Sequence, residues 1–125
     1  MPELAFDIVI IGSGAGGGTV ARELSPLCKA GKRIAVLEWG PRLRDEEFTG
    51  GELDMASKLY FDAGGFLTRD KTMTLAFAKQ YGGSTVVYTG TSLTLPKETL
   101  KRWSVPGLTH DDLLRRSQKY LDENH

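Results

Sequence analysis

Three short stretches hold the residues whose types and spacing could do chemistry. The first is Gly12-Ser13-Gly14-Ala15-Gly16-Gly17, where Gly12, Gly14 and Gly17 fill the three glycine positions of a G-x-G-x-x-G pattern. In such a pattern the first glycine permits a tight turn and the second lets backbone approach a pyrophosphate with no Cβ in the way. The third lets a helix lie close to a sheet. The second stretch is a single acid, Glu38, which follows Gly17 by 21 residues, close to the roughly 20 expected of a carboxylate that accepts from ribose hydroxyls. Its negative charge would repel a ribose 2′-phosphate, which leaves NAD or FAD as the nucleotide. The third stretch is Tyr81-Gly82-Gly83-Ser84-Thr85-Val86-Val87-Tyr88-Thr89-Gly90, a second glycine turn followed by hydroxyl and β-branched residues.

These residues need elements to hold them. Ile8, Val9, Ile10 and Ile11 form an unbroken β-branched run, the pattern of a strand buried on both faces. A helix beginning near Ala15 presents its N–H groups and positive dipole end to an anion, so no lysine is needed there. Val20, Ala21 and Leu24 of that helix are expected to face the sheet, and Ser25-Pro26 interrupts it. Residues 33–38 then form the second strand, with Glu38 at its end. Beyond Trp39-Gly40-Pro41, residues 42–47 read as a solvated charged connection and residues 51–61 as containing a short helix. Residues 66–78 read as a β-hairpin turning at Arg69-Asp70-Lys71. Residues 96–103 suit a short helix, and Thr109 to Asp112 a capping box opening an amphipathic one. The expected class is α/β and Rossmann-like: one βαβ unit, an inserted hairpin and C-terminal helices, an incomplete version of a doubly wound sheet.

Bulk properties exclude other classes. Sixteen basic and sixteen acidic residues in 125 leave no net charge, so a general attraction to nucleic acid or to an anionic membrane has no basis. The lone cysteine, Cys28, reads as a small packing residue, and no Cys/His cluster has metal-ligand spacing. A soluble protein in the reduced cytoplasm is the expectation. No catalytic residue is assigned: His110 sits in a helix-capping region, His125 is the last residue, and Ser84 and Thr85 lack recognisable His/Asp partners.

DIVIIGSGAGGGTVARELS, VLEWGP and YGGSTVVYTGTSLTLP, in that order and spacing, resemble the FAD-binding portion of the glucose-methanol-choline oxidoreductase family, including its cholesterol-oxidase-like members. The resemblance implies FAD as cofactor and hydride transfer to flavin from the CH–OH group of a small alcohol. It places the pyrophosphate at Gly12 to Gly17 and the adenosine ribose at Glu38. The flavin side falls to Gly82, Gly83, Ser84 and Thr85, with Tyr88, Thr89 and Gly90 beside them. Where the family has Asn or His shortly after the glycine pair, this chain has Tyr88. The family's catalytic His lies near the C-terminus of a much longer chain. Residues 1–125 are therefore expected to be the N-terminal part of an FAD-binding domain, inactive alone, with substrate part and base outside it. Two alternatives stand beside that reading: a free-standing nucleotide-binding module or subunit, and an NAD-binding dehydrogenase domain.

Overall fold

The computed structural model describes residues 4–91 and 93–123; His125, set aside above as a catalytic candidate, lies outside them. The chain divides into two units, Met1–Thr89 and Gly90–His125.

In the first unit, strand β1 (Ile8–Ile11) pairs in parallel with β2 (Ile34–Leu37), Ile8 opposite Ile34 and Ile11 opposite Leu37. Between them run helix α1 (Ala15–Leu24) and the short α2 (Pro26–Lys29), broken at Ser25. Proline supplies the first residue of α2, where its missing N–H costs nothing. Asp7 fastens the sheet's lower end: its carboxylate accepts from the Arg33 N–H at 2.8 Å and from Lys32 Nζ at 2.9 Å.

The strands are less covered than their composition implies. Ile10 is buried, but Ile11 is 86% exposed and Leu37 55%. A two-stranded sheet packed by α1 has one apolar face with nothing laid over it among the described residues, and that corrects the expectation of burial on both faces. Val20 is likewise exposed, and so is Cys28, which is not a packing residue.

After β2 the chain makes a one-turn helix at Asp45–Glu47, where Arg44 pairs with Glu46 and Glu47. Helix α3 (Glu52–Leu59) follows within the window expected from sequence, and it buries Leu59. The expected hairpin is present but short: Leu67 bridges Thr74, the Thr68 N–H donates to the Met73 carbonyl and the Leu75 N–H to the Phe66 carbonyl, while Ala78 at its end bridges back to Tyr60. Asp70 closes its turn by accepting from the Thr68 and Thr72 hydroxyls and the Thr72 N–H. Aromatic packing joins these backbone bonds in holding the segment. Phe61 stacks on Trp39 (5.5 Å) and on Phe77 (5.2 Å), and Phe66 meets Phe61 and Phe77 edge-on. Such pairs contribute about 0.5–1.5 kcal/mol each beyond area burial.

Gln80 is the most buried of the described polar residues, 2% exposed, and its Nε2 has no hydrogen-bond partner. A buried donor left unmet costs about 1–3 kcal/mol. Gln80→Met, close in volume and apolar, is therefore expected to raise stability by about 1 kcal/mol. A urea midpoint at or below that of the wild type would show that the amide is satisfied in solution.

In the second unit, α4 (Lys97–Trp103) and α5 (His110–Glu123) occupy the expected places. Leu100 is buried, and the Thr109 hydroxyl accepts from the Asp112 N–H at 3.1 Å, capping α5 as the sequence signals.

Candidate functional site

The three sequence stretches that carry chemistry meet at the C-terminal ends of β1 and β2. A parallel strand ends there in a tight turn at Gly12, whose φ of +87° a side chain would resist. Helix α1 then starts from Gly14, which offers no side-chain cap to the first-turn N–H groups. A Cβ at Gly17 would lie 1.9 Å from the Gly12 carbonyl oxygen, so α1 seats on the strand end only because that position is bare. At Gly16 a Cβ would meet nothing within 4 Å. The loop's outer side is open, and its inner side is closed.

Glu38 leaves β2 directly beneath this loop. Its Oε2 accepts from the Ser13 hydroxyl at 2.7 Å and the Ser13 N–H at 2.9 Å, while Oε1 accepts from the Gly40 N–H at 2.8 Å. The Ser13 hydroxyl, followed by the Gly40 and Ser13 amides, holds the carboxyl down at about 2, against 4.5 ordinarily. An ionised carboxylate has roughly four acceptor positions, and three of these are filled from within the protein. Glu38 thus braces the fingerprint loop; Oε1, with the one bond from Gly40, is the less occupied of its oxygens, and the Trp39 amide also pulls on the carboxylate.

The second glycine stretch joins the same place. The Gly82 N–H donates to Ser13 Oγ at 2.8 Å, bridging 69 residues. Gly82 and Gly83 both have positive φ (+93° and +57°), and a Cβ at Gly83 would lie 2.9 Å from Gly14 Cα. The turn therefore lies backbone to backbone against the fingerprint loop. Residues Gly83–Val86 continue as a single helical turn. Within it Ser84 Oγ accepts from the Ala78 N–H and the Thr85 hydroxyl donates to the Gly82 carbonyl. Tyr88 is exposed, and Gly90 belongs to the second unit. His110 Nε2 lies 3.1 Å from the Leu95 carbonyl oxygen.

Together these elements border a cleft of about 650 Å³ lined by Gly12, Gly14, Leu37, Glu38, Gly83 and Ser84, with Trp39, Phe77 and others completing the wall. The volume is within the range of small-molecule sites. Chemically it combines bare backbone at Gly12, Gly14 and Gly83, the Glu38 carboxylate and an aromatic wall, with no basic side chain among its lining residues; the start of α1, which has no side-chain cap, follows directly on Gly14. That set fits a dinucleotide: N–H donors for a pyrophosphate, a carboxylate for a sugar hydroxyl, apolar surface for rings. Spacing alone identified the glycines and the acid. It missed Ser13 as a bridging group and Trp39 as a wall; the sequence signal for Trp39 was its place directly after the acid. Among the described residues no group of three or more His, Cys, Asp or Glu could hold a metal, and no helix is long and apolar enough to cross a membrane.

No family model matches the chain. Curated relatives are found: a long-chain-alcohol oxidase of Arabidopsis thaliana is 35% identical over 98 residues, 78% of this chain and 13% of the relative. An uncharacterised GMC-type oxidoreductase of Mycobacterium tuberculosis is 37% identical over 99 residues, 78% of this chain and 15% of the relative. A cholesterol oxidase of the same organism is 42% identical over 55 residues, 44% of this chain and 9% of the relative. The chain thus spans only 13–15% of the length of the first two of these relatives.

Proposed function

Given that this chain is a relative of the glucose-methanol-choline oxidoreductases over 78% of its length, we propose that it supplies the nucleotide-holding part of an FAD-dependent oxidoreductase acting on a CH–OH group. The observation that carries the reading is the convergence of Gly12–Gly17, Glu38 and Gly82-Gly83 on one cleft through Ser13. The surrounding fold is then part of a Rossmann-like domain, in which further strands would pair at the edges of β1 and β2 and another layer would cover their bare apolar face.

In this reading the first-turn N–H groups of α1 hold the pyrophosphate, since an anion at a helix start is stabilised without a cation. Glu38 accepts one ribose hydroxyl through Oε1, and its charge disfavours a 2′-phosphorylated nucleotide. Gly83 and Ser84 border the flavin side. Bound flavin would supply the hydride acceptor. The chain's own residues bind and orient, and the proton-accepting base lies outside them. The substrate is an alcohol, in keeping with the names of the relatives.

Calorimetric titration tests this directly: FAD is expected to bind and NAD not. Binding of NAD without FAD would favour a nicotinamide dehydrogenase domain, and steady alcohol oxidation by these residues alone would contradict an external base. Gly14→Ala separates the site from the fold. Its Cβ would lie 3.8 Å from the Gly82 oxygen and Gly83 Cα, an ordinary contact, so the protein should fold. FAD affinity should fall at least tenfold, because the new methyl stands where a pyrophosphate must come close to backbone. Unchanged titrations for the folded variant would remove the pyrophosphate from this loop.

A further inference from the structure

We propose that Ser13 is the positioning residue that sets the flavin-side turn, Gly82-Gly83, against the pyrophosphate loop, and that Glu38, besides its ribose contact, serves the flavin side through Ser13. This deepens the FAD reading and rests on it. The polarity of the hydrogen bonds carries the inference. An ionised Glu38 can only accept, so the Ser13 hydroxyl must spend its one proton on Oε2, 2.7 Å away. Its lone pairs then face elsewhere, and one of them receives the Gly82 N–H at 2.8 Å. The relay runs one way, from Gly82 N–H to Ser13 O–H to Glu38 carboxylate, and each bond polarises the next. Without the carboxylate the hydroxyl is free to rotate, and without the hydroxyl the Gly82 N–H has no acceptor at that point.

The turn depends on such a tether. Its two glycines hold left-handed conformations, and Gly83 approaches Gly14 so closely that a Cβ would sit 2.9 Å from Gly14 Cα. The turn's flanks are tied elsewhere, the Tyr81 N–H to the Pro41 carbonyl and the Ala78 N–H to Ser84 Oγ, but bare backbone surfaces have no side chains to interlock, and the Gly82 bond to Ser13 is what sets the register of the turn against the fingerprint loop. Gly83 and Ser84 line the cleft, and Gly82 stands directly before them. A displaced turn would thus alter one half of the site and leave α1's N–H groups in place.

The test compares FAD with ADP, which lacks the flavin half, on the wild type and Ser13→Ala. FAD affinity is expected to fall about tenfold, the scale of one charge-supported hydrogen bond, and ADP affinity to fall by a distinctly smaller factor, since the Ser13 N–H still holds Glu38. Amide exchange at Gly82 should accelerate by a similar factor, with Gly40 still protected by Glu38. Ser13→Thr, which keeps the hydroxyl, should restore both properties. Should Ser13→Ala not fold, Ser13→Cys carries the same comparison, because a thiol is a weak donor of similar size. Equal losses for FAD and ADP, or an unchanged Gly82 exchange rate in a folded variant, would overturn the role of Ser13. A wild-type protein that binds neither nucleotide would refute the FAD reading instead.

Discussion

Gly17→Ala is expected to lower the unfolding free energy by about 3 kcal/mol or more, the upper end of what overpacking costs. In a helix, alanine normally outperforms glycine by about 1 kcal/mol, so propensity and packing oppose each other here. Packing wins because the added Cβ would be 1.9 Å from the Gly12 oxygen and 2.9 Å from its carbonyl carbon. Both are backbone atoms of the turn that leaves β1, and they cannot rotate aside as a side chain could. The helix must lift from the strand end or the turn must open. Against a typical total of about 5–15 kcal/mol, that loss leaves the first unit marginal at best. Gly16→Ala is the matched control. It lies in the same helix with nothing within 4 Å of its Cβ, so about 1 kcal/mol of stabilisation is expected from propensity alone. Urea unfolding of both variants decides the matter: equal midpoints would mean that α1 does not seat on the strand end as described.

Glu38→Ala is expected to cost about 3 kcal/mol, since hydrogen bonds to a charged group are worth about 1.5–3 kcal/mol each and three end on this carboxylate. It also strands the Ser13 and Gly40 N–H groups. The pH dependence gives a second signature. The folded carboxyl sits at about 2 against 4.5 ordinarily, so its ionised form is favoured by folding. Its contribution is complete above about pH 4.5 and disappears as pH falls through about 2. The wild type should therefore lose stability in that window more steeply than Glu38→Ala or Glu38→Gln. Some acid dependence will persist in both variants, because Asp7, Glu47, Asp54 and Asp70 are also held below their ordinary values by hydrogen bonds. Superimposable stability profiles between pH 2 and 5 would show that Glu38 is not braced in solution.

What could be read from sequence was local. The run from Ile8 to Ile11, the glycines after it and the Ser25-Pro26 break fixed β1, α1 and the interruption, because each acts through its own backbone or its helical neighbours. Glu38 was found by its distance from Gly17. Its employment was not, because the Ser13 hydroxyl has no partner visible until β1 and β2 lie side by side. The Gly82 bond, 69 residues long in sequence, is hidden for the same reason. The hairpin is shorter than alternation at Met73, Leu75 and Phe77 promises: Phe66 and Thr68 bond Leu75 and Met73 across the turn, whereas Phe77 pairs with Phe61, on which it also stacks. The uncovered strand face shows a different limit. β-branched composition reports what a strand would bury in company, and the relatives' far greater length is consistent with such company.

Parallel pairing has a consequence for the order of events during folding. A hairpin can begin from its turn, but β1 and β2 share no turn, and the first bonds between them, such as Arg33 to Asp7, close a span of 26 residues. The brace between Ser13 and Glu38 closes a span of 25 at the other end of the same two strands. Both are non-local contacts of nearly equal loop entropy, so chain closure alone favours neither end over the other. Sheet closure and bracing of the glycine loop thus draw on the same chain closure: the pairing that brings Arg33 to Asp7 also brings Glu38 to Ser13.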